Sequence, residues 1–275
     1  FFFDVHNDFF EEIAKFRAAR RIWSRIMREK YRAKNPESWR LRTHAQTAGV
    51  TLTAQQPENN IVRVAYQAMA AALGGTQSLH TNSMDETLAL PTEKSVRTAL
   101  RTQQVLAFES GVTNTIDPLA GSYFLEALTD ELERDALAIF DEIDCFGGVV
   151  PAIEEGWFQR EIAMSAMLQQ REVEAGDRVV VGVNHFTEGS EEVEIETLHI
   201  DSGIEESQVA QMVELRARRD PEAVERTLRE LRESSRTGGN LVPRILECAR
   251  AYCTLYEIRR AMEDVFNSYK EPVFF

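Results

Sequence analysis

Apolar positions recur at two different periods along this chain. Phe1–Val5 is a short apolar run. Phe9, Ile13, Phe16, Ala19 or Arg20, and Trp23 follow at helical spacing. This predicts a strand, then a helix capped by Asn7 or Asp8 and running to about Lys30, with Glu11 and Glu12 in its first turn where the helix dipole favours acids. Lys34–Ser38 is a loop around Pro36. Leu41–Thr47 is a second strand and Gly49–Glu58 a polar loop. Asn59–Leu73 is a helix whose Ile61, Val64, Ala65, Ala68, Met69 and Ala72 form a small-residue face for packing on a sheet. Gly74-Gly75 ends it, and Thr76–Thr81 is a third strand. Strand, helix and strand without a hairpin turn imply a parallel crossover. The strands then share a C-terminal rim where His44, Gln46, Gln77, His80 and Asn82 gather, the end at which such folds keep their chemistry.

Beyond this point the alternation gives way to helices. Ser83–Glu86 opens a short one, and Thr92–Glu109 is another, with Thr92 as cap and Ser95 at its third position. A loop, Gly111–Gly121, leads to an amphipathic helix over Tyr123–Phe146 that Gly147-Gly148 stops. Pro151–Gly176 reads as one helix, Val179–Val183 and Glu192–Ile200 as a small strand pair, Asp201–Glu233 as a charged helical stretch, and Leu241–Phe266 as a last amphipathic helix. The organisation predicted is α/β to about residue 120, then a mainly helical covering or linking region over 121–275.

The 275 residues are 43% hydrophobic, enough for a sizeable core, and the formal net charge of -14 argues against nucleic-acid binding. Between Lys15 and Arg42 the balance reverses, with only Glu29 and Glu37 opposing a run of Lys and Arg. That stretch is either the solvated face of a helix or a landing surface for a phosphate-bearing ligand or acidic partner. Cys145, Cys248 and Cys253 form no CxxC, so no zinc site or disulfide framework is suggested, and a reducing, cytoplasmic setting fits. No apolar run approaches the roughly 18 residues of a membrane span. FFFDVHNDFF has no start methionine, basic n-region or cleavage site. It is not expected to be a signal peptide, and the chain is expected to be the C-terminal part of something longer.

No phosphate-binding glycine loop, HExxH or GxSxG is present. Asp85-Glu86 is either an incomplete metal pair or a helix cap. His80 is either a core histidine bonded to backbone or a site residue. His44 and Gln46 alternate with Thr43 and Ala45 and so share one strand face. An inward polar pair is costly unless something polar meets it. The residues alone therefore support a ligand site at a barrel or sheet rim.

Four segments, FFFDVHNDFFEEIAKFRAARRIW, LRTHAQTAGVTLTAQQPENNIVR, GGTQSLHTNSMDETLALPTEKS and ESGVTNTIDPLAGSYFLE, resemble the large, catalytic subunit of the methylmalonyl-CoA mutase family and, more broadly, adenosylcobalamin-dependent acyl-CoA mutases. The resemblance runs from Phe1 to about Asn184, and more loosely to the C-terminus. It implies a (β/α)8 TIM-type barrel threaded by coenzyme A, of which this chain supplies the last strands, RTHAQT and TQSLHT being the final two, followed by the helical extension. It implies that Gln46 faces the acyl group with His44 beside it, and that Gly49 lies under the corrin ring. Asn82 and Glu86 would bond the ribose hydroxyls of the adenosyl group, Ala89 would pack near the cofactor, and Gln77 and His80 would line the cavity. The implied reaction is a radical carbon-skeleton rearrangement, with (R)-methylmalonyl-CoA to succinyl-CoA the first expectation.

The family's N-terminal barrel half has no counterpart here, and no DxHxxG supplies the lower cobalt ligand; HIDSG at His199 is not that motif. The expected partners are therefore an acyl-CoA substrate, a complementary barrel half and a separate small cobalamin-binding subunit, in an oligomer, with no nucleic acid and no membrane. The residue after Gly49 is Val50, where many methylmalonyl-specific members carry Trp. Isobutyryl-, 2-hydroxyisobutyryl- and ethylmalonyl-CoA relatives share these motifs. The alternative is a truncated, non-catalytic assembly module that needs a complementary chain.

Overall fold

Three short strands, β1 (Phe2–Val5), β2 (His44–Thr47) and β3 (Ser78–His80), form a parallel sheet in that order in the computed structural model, which describes residues 1–187 and 195–270. Two helices make the crossovers. α1 (Phe9–Glu29) links β1 to β2, and its cap is Asp8, whose carboxylate accepts from the Glu11 amide at 3.1 Å. α2 (Asn59–Gly74) links β2 to β3 and ends on Gly75 at φ +83°, a left-handed turn suited to glycine. The predicted crossover through α2 is present and α1 makes a second; β1 is one residue, and β2 and β3 each three residues, shorter than expected.

The core lies on one side of the sheet. Val5 and Ala45 meet Ile13, Ala14 and Phe16 of α1 and Ala70 and Ala71 of α2. The helices approach closely because Gly74 has no side chain; a Cβ there would come within 2.6 Å of the Phe16 ring. Strand alternation sends Phe3, Val5, Ala45 and Thr47 toward this core. Phe2, Asp4, Gln46, Ser78 and His80 stay exposed on the opposite face, with His44 half-buried. The register pairs Phe2 with His44 and Asp4 with Gln46, then His44 with Ser78 and Gln46 with His80.

Three arginines of the basic stretch are held by another helix, while Lys30, Arg32, Lys34, Arg40 and Arg42 are exposed, as a solvated face would be. α4 (Tyr123–Cys145) packs on α1 and presents an acidic edge to it. Arg17 pairs with Asp117 at 3.1 Å and Glu126 at 2.7 Å, Arg21 with Asp130 at 2.8 Å and Glu133 at 2.9 Å, and Arg25 also with Glu133. Leu125, 1% exposed, carries α4 into the core. The charge of these three arginines is matched by acidic residues far along the chain, which no local window reveals.

Several predicted elements divide or dissolve. α3 (Glu93–Glu109) forms as expected, with the Thr92 hydroxyl accepting from the Ser95 amide. No helix opens at Ser83–Glu86; residues 84–88 are turns, and the Asp85 carboxylate accepts from the Thr92 amide at 3.0 Å. Pro151–Gly176 is two helices, α5 (Val149–Glu154) and α6 (Trp157–Ala175), separated by Gly156 at φ +68°. Val179–Val183 forms only an isolated bridge from Val181 to His185. Of its expected partner strand, 192–194 lie outside the described residues and Ile195–Ile200 are not strand.

The charged stretch splits into α7 (Ser202–Arg218) and α8 (Pro221–Arg236), with Asp220 as cap and Pro221 at the first helical position. The last helix splits into α9 (Leu241–Arg250) and α10 (Leu255–Phe266), where Thr254 and Glu257 form a capping box.

By its contacts the chain divides into two units, Phe1–Leu198 and His199–Phe275. Helices α4–α6 fall in the first. The second has its own core, in which fully buried Leu231, Cys248 and Ala261 meet Leu228, Ile245, Ile258 and Met262. The architecture is mixed α/β, with a small parallel sheet and mostly helices. Among the described residues no helix is long and apolar enough to cross a membrane.

Candidate functional site

The C-terminal ends of β2 and β3 are bound together by one buried contact. The Asn82 amide donates to Thr47 Oγ1 at 2.9 Å, which fixes the chain leaving β3 against the end of β2. Beyond Thr47 a 3-10 turn begins at Gly49, and beyond Asn82 lie the turns of Ser83–Glu86. The two loops touch. A Cβ on Gly49 would lie 2.9 Å from Asn82 Nδ2 and 3.7 Å from the Glu86 side chain, so any larger residue would collide with the asparagine. Gly49, Asn82 and Glu86 thus form one cluster.

Asn82 is 2% exposed, yet neither its Oδ1 nor its Nδ2 has a hydrogen-bond partner. A buried amide left without partners costs about 1–3 kcal/mol. Among the described residues it is the side chain with both polar atoms buried and unpartnered; elsewhere in this unit, as at Gln67, a single atom is left so. Glu86 is exposed, and Ala89 is half-buried with its amide on the Asp85 carbonyl at 3.1 Å. Burial alone would raise the Asp85 pKa, but the Thr92 amide and the Ser83 and Ser95 hydroxyls outweigh it and hold the carboxyl below its ordinary value. Asp85 is committed to structure: it caps no helix itself but holds the amide of Thr92, the cap of α3.

The loops are held from beneath by a polar stripe that the hydrophobic pattern of α2 did not reveal. Asn60, Arg63 and Gln67 are buried. Asn60 Nδ2 donates to the Thr53 carbonyl and to the Met84 carbonyl, both at 2.9 Å, while its Oδ1 accepts from the Thr53 amide at 3.1 Å. One side chain thereby ties the loop after β2 to the loop after β3. Arg63 donates to Asn60 Oδ1, Thr53 Oγ1 and the Val181 carbonyl, and burial lowers its guanidinium pKa. Gln67 donates to Thr51 Oγ1 at 2.8 Å and Asn7 Oδ1 at 2.6 Å. The signal available in the sequence was a polar series at helical spacing, 60, 63 and 67, in an alanine-rich helix.

The open sheet face completes the site. Gln46 and His80 are register partners there. His44 lies beside them with Nδ1 2.8 Å from Ser78 Oγ, and its ring stands 5.3 Å from that of Phe2. His80 is exposed and so is not a core histidine. Gln77 is elsewhere. Its Oε1 accepts from the Thr43 amide at 2.6 Å and its Nε2 donates to the Gly75 carbonyl at 2.8 Å. Those bonds close the N-terminal ends of β2 and β3, opposite the rim, because Gln77 precedes the strand.

A family model for methylmalonyl-CoA mutase matches residues 1–268. The chain belongs to the methylmalonyl-CoA mutase family. It is 45% identical over 276 residues to the 2-hydroxyisobutanoyl-CoA mutase large subunit of Aquincola tertiaricarbonis, covering 100% of this chain and 49% of that protein. It is 46% identical over 274 residues to a methylmalonyl-CoA mutase of Cereibacter sphaeroides, covering 99% of this chain and 38% of the relative. The human mitochondrial methylmalonyl-CoA mutase is 41% identical over 272 residues, with 98% of this chain and 36% of the human protein covered. This member of the family thus spans less than half the length of these curated relatives.

Proposed function

We propose that this chain is the cofactor- and acyl-facing part of an adenosylcobalamin-dependent acyl-CoA mutase, an isomerase that rearranges the carbon skeleton of a short branched acyl-CoA. The observation that carries the reading is the buried, unpartnered Asn82 amide beside Gly49. It is a hydrogen-bonding group held ready at a spot where only a glycine leaves room. The residues fit the cofactor on this ground: an amide and a carboxylate, Asn82 and Glu86, suit the two hydroxyls of a ribose. Gly49 leaves the backbone bare for a flat macrocycle, and Ala89 adds a small apolar contact. When bound, adenosylcobalamin supplies the radical chemistry.

The chain's own residues bind and orient. Gln46 and His44 on the open face hold the acyl thioester by hydrogen bonds, with His80 lining the same wall. The Asn60 stripe keeps the two loops at a fixed separation. Water exclusion is the other contribution, and no acid–base pair is needed for it.

The sheet is read as the last part of a (β/α)8 barrel. Two successive parallel crossovers with helices on one face support this, as does the length of the relatives. A complementary barrel half, an oligomeric assembly and a cytoplasmic setting belong to the same reading. A separate cobalamin-binding subunit is supported by the relative whose name is that of a large subunit. The first substrate is methylmalonyl-CoA, the acyl-CoA in the names of the relatives from C. sphaeroides and human, with succinyl-CoA as the product. A second reading, a neutral branched acyl-CoA, is favoured by Val50. Its side chain is 83% exposed beside Gly49, in place of the Trp of many methylmalonyl-specific members.

The test uses the full polypeptide assembled with its cobalamin-binding partner. Asn82→Ala and Glu86→Ala are expected to weaken adenosylcobalamin binding about tenfold or more by equilibrium dialysis, and to depress turnover with it. Unchanged affinity and turnover in both variants would overturn the assignment.

A further inference from the structure

Asp4 lies on the open face of the sheet, and none of the roles above uses it. The register pairs Asp4 with Gln46 and Gln46 with His80, so these three side chains form one row across β1, β2 and β3. The row lies closer to the C-terminal rim than the row of Phe2, His44 and Ser78. All three side chains are exposed on the face turned away from the helices. Adjacent strands are about 4.8 Å apart, so Asp4 neighbours Gln46 directly and stands roughly 10 Å from His80.

The nearest lysine does not neutralise Asp4. Lys15 Nζ donates to the Asp4 backbone carbonyl at 2.6 Å and to the Glu12 carboxylate. Among the described residues no hydrogen bond or ion pair reaches the Asp4 carboxylate. A carboxylate thus stands beside the glutamine read as facing the acyl group, on a wall that also carries His44 and His80.

We propose that Asp4 is a specificity-determining residue: its carboxylate, next to Gln46, disfavours acyl groups bearing a second carboxylate and selects short branched acyl-CoA thioesters that are neutral or hydroxylated. The proposal rests on the acyl-CoA mutase reading and chooses between its two substrate classes. Two carboxylates a few ångströms apart in a site shielded from water repel each other, and no cation among the described residues is paired with Asp4 to offset this. A hydroxyl on the acyl group would instead donate to Asp4. The small aliphatic Val50 at the neighbouring loop points the same way.

The test is a substrate panel with the complete assembly loaded with adenosylcobalamin. It compares isobutyryl-CoA, 2-hydroxyisobutyryl-CoA and methylmalonyl-CoA in the wild type and in Asp4→Asn, an isosteric change at an exposed position. The wild type is expected to show the higher kcat/KM for one of the two uncharged acyl groups. Asp4→Asn is expected to shift the ratio toward methylmalonyl-CoA by about tenfold or more. A wild type that prefers methylmalonyl-CoA, or a variant whose ratio stays within about twofold of wild type, overturns the role of Asp4 and leaves the mutase reading intact. Turnover of none of the three by the wild type also overturns this assignment, because neither of the uncharged acyl groups is then accepted.

Discussion

The rim of the sheet and the C-terminal helical unit handle buried polar groups in opposite ways. In the C-terminal unit they are few and locally satisfied. Thr227 and Ser235 are buried, and each hydroxyl donates to the carbonyl four residues back, at 2.9 and 2.8 Å. Arg219 and Glu257 form a two-pronged ionic contact at 2.7 and 2.5 Å, and the same glutamate completes a helix cap. At the rim the buried polar groups are many, they join segments distant in sequence, and Asn82 and Gln67 Oε1 are left without partners. The difference separates a region arranged for its own stability from one that leaves hydrogen-bonding capacity for something else to use.

The largest effect expected to break this contrast is at Asn60. Asn60→Ala strands the Met84 carbonyl and both Thr53 backbone groups, and should cost about 1–3 kcal/mol in denaturant unfolding of the first unit. It should also weaken cofactor binding although Asn60 is fully buried beneath the site. A loss of stability with cofactor affinity untouched would separate the stripe from the site.

The second effect concerns pH and the C-terminal unit. The Arg219 guanidinium, with the Thr254 amide and hydroxyl, outweighs burial and holds the Glu257 pKa at about 2 instead of 4.5. A depressed carboxyl contributes stability that is fully present above the unfolded-state value and is lost as pH falls from about 4.5 toward 2. Thermal melts of the wild type should fall in that window. Glu257→Gln should flatten the dependence there, by on the order of 1 kcal/mol because solvent reaches part of the pair. An identical pH profile in the variant would remove the pair from the account.

The smallest stability effect is the sharpest. Asn82→Ala relieves a buried amide that makes no hydrogen bond and loses some packing; the two offset, so its unfolding free energy should stay within about 0.5 kcal/mol of wild type while cofactor affinity falls. Marked destabilisation would mean that the amide has a structural partner, and the contrast between the two regions would fail.

Much of the framework was legible before any coordinates. The β1-α1-β2-α2-β3 order follows from apolar periodicity, the ends of α1 and α2 from Asp8 and Gly75, and the start of α3 from Thr92 and Ser95. Two further breaks are also written in the sequence. Asp220-Pro221 is a cap followed by a proline at the first helical turn, and Thr254 with Glu257 is a capping box. The Gly49, Asn82 and Glu86 cluster was reachable through the family resemblance, whose motifs name residues that no periodicity would single out.

By itself the sequence determined which segments are strand or helix and which residue types stand at each position, because those depend on backbone preferences and on neighbours within a turn or two. Only the tertiary structure decided which polar groups meet. It set Arg17, Arg21 and Arg25 against the acids of α4, laid Asn60 under two loops, sent Gln77 to the far end of the strands, and left Asn82 buried without a partner. It also placed Asp4 in one row with Gln46 and His80 through register. Hydrogen bonds and ion pairs act over a few ångströms of space, and folding brings residues within that range with little regard to their separation along the chain.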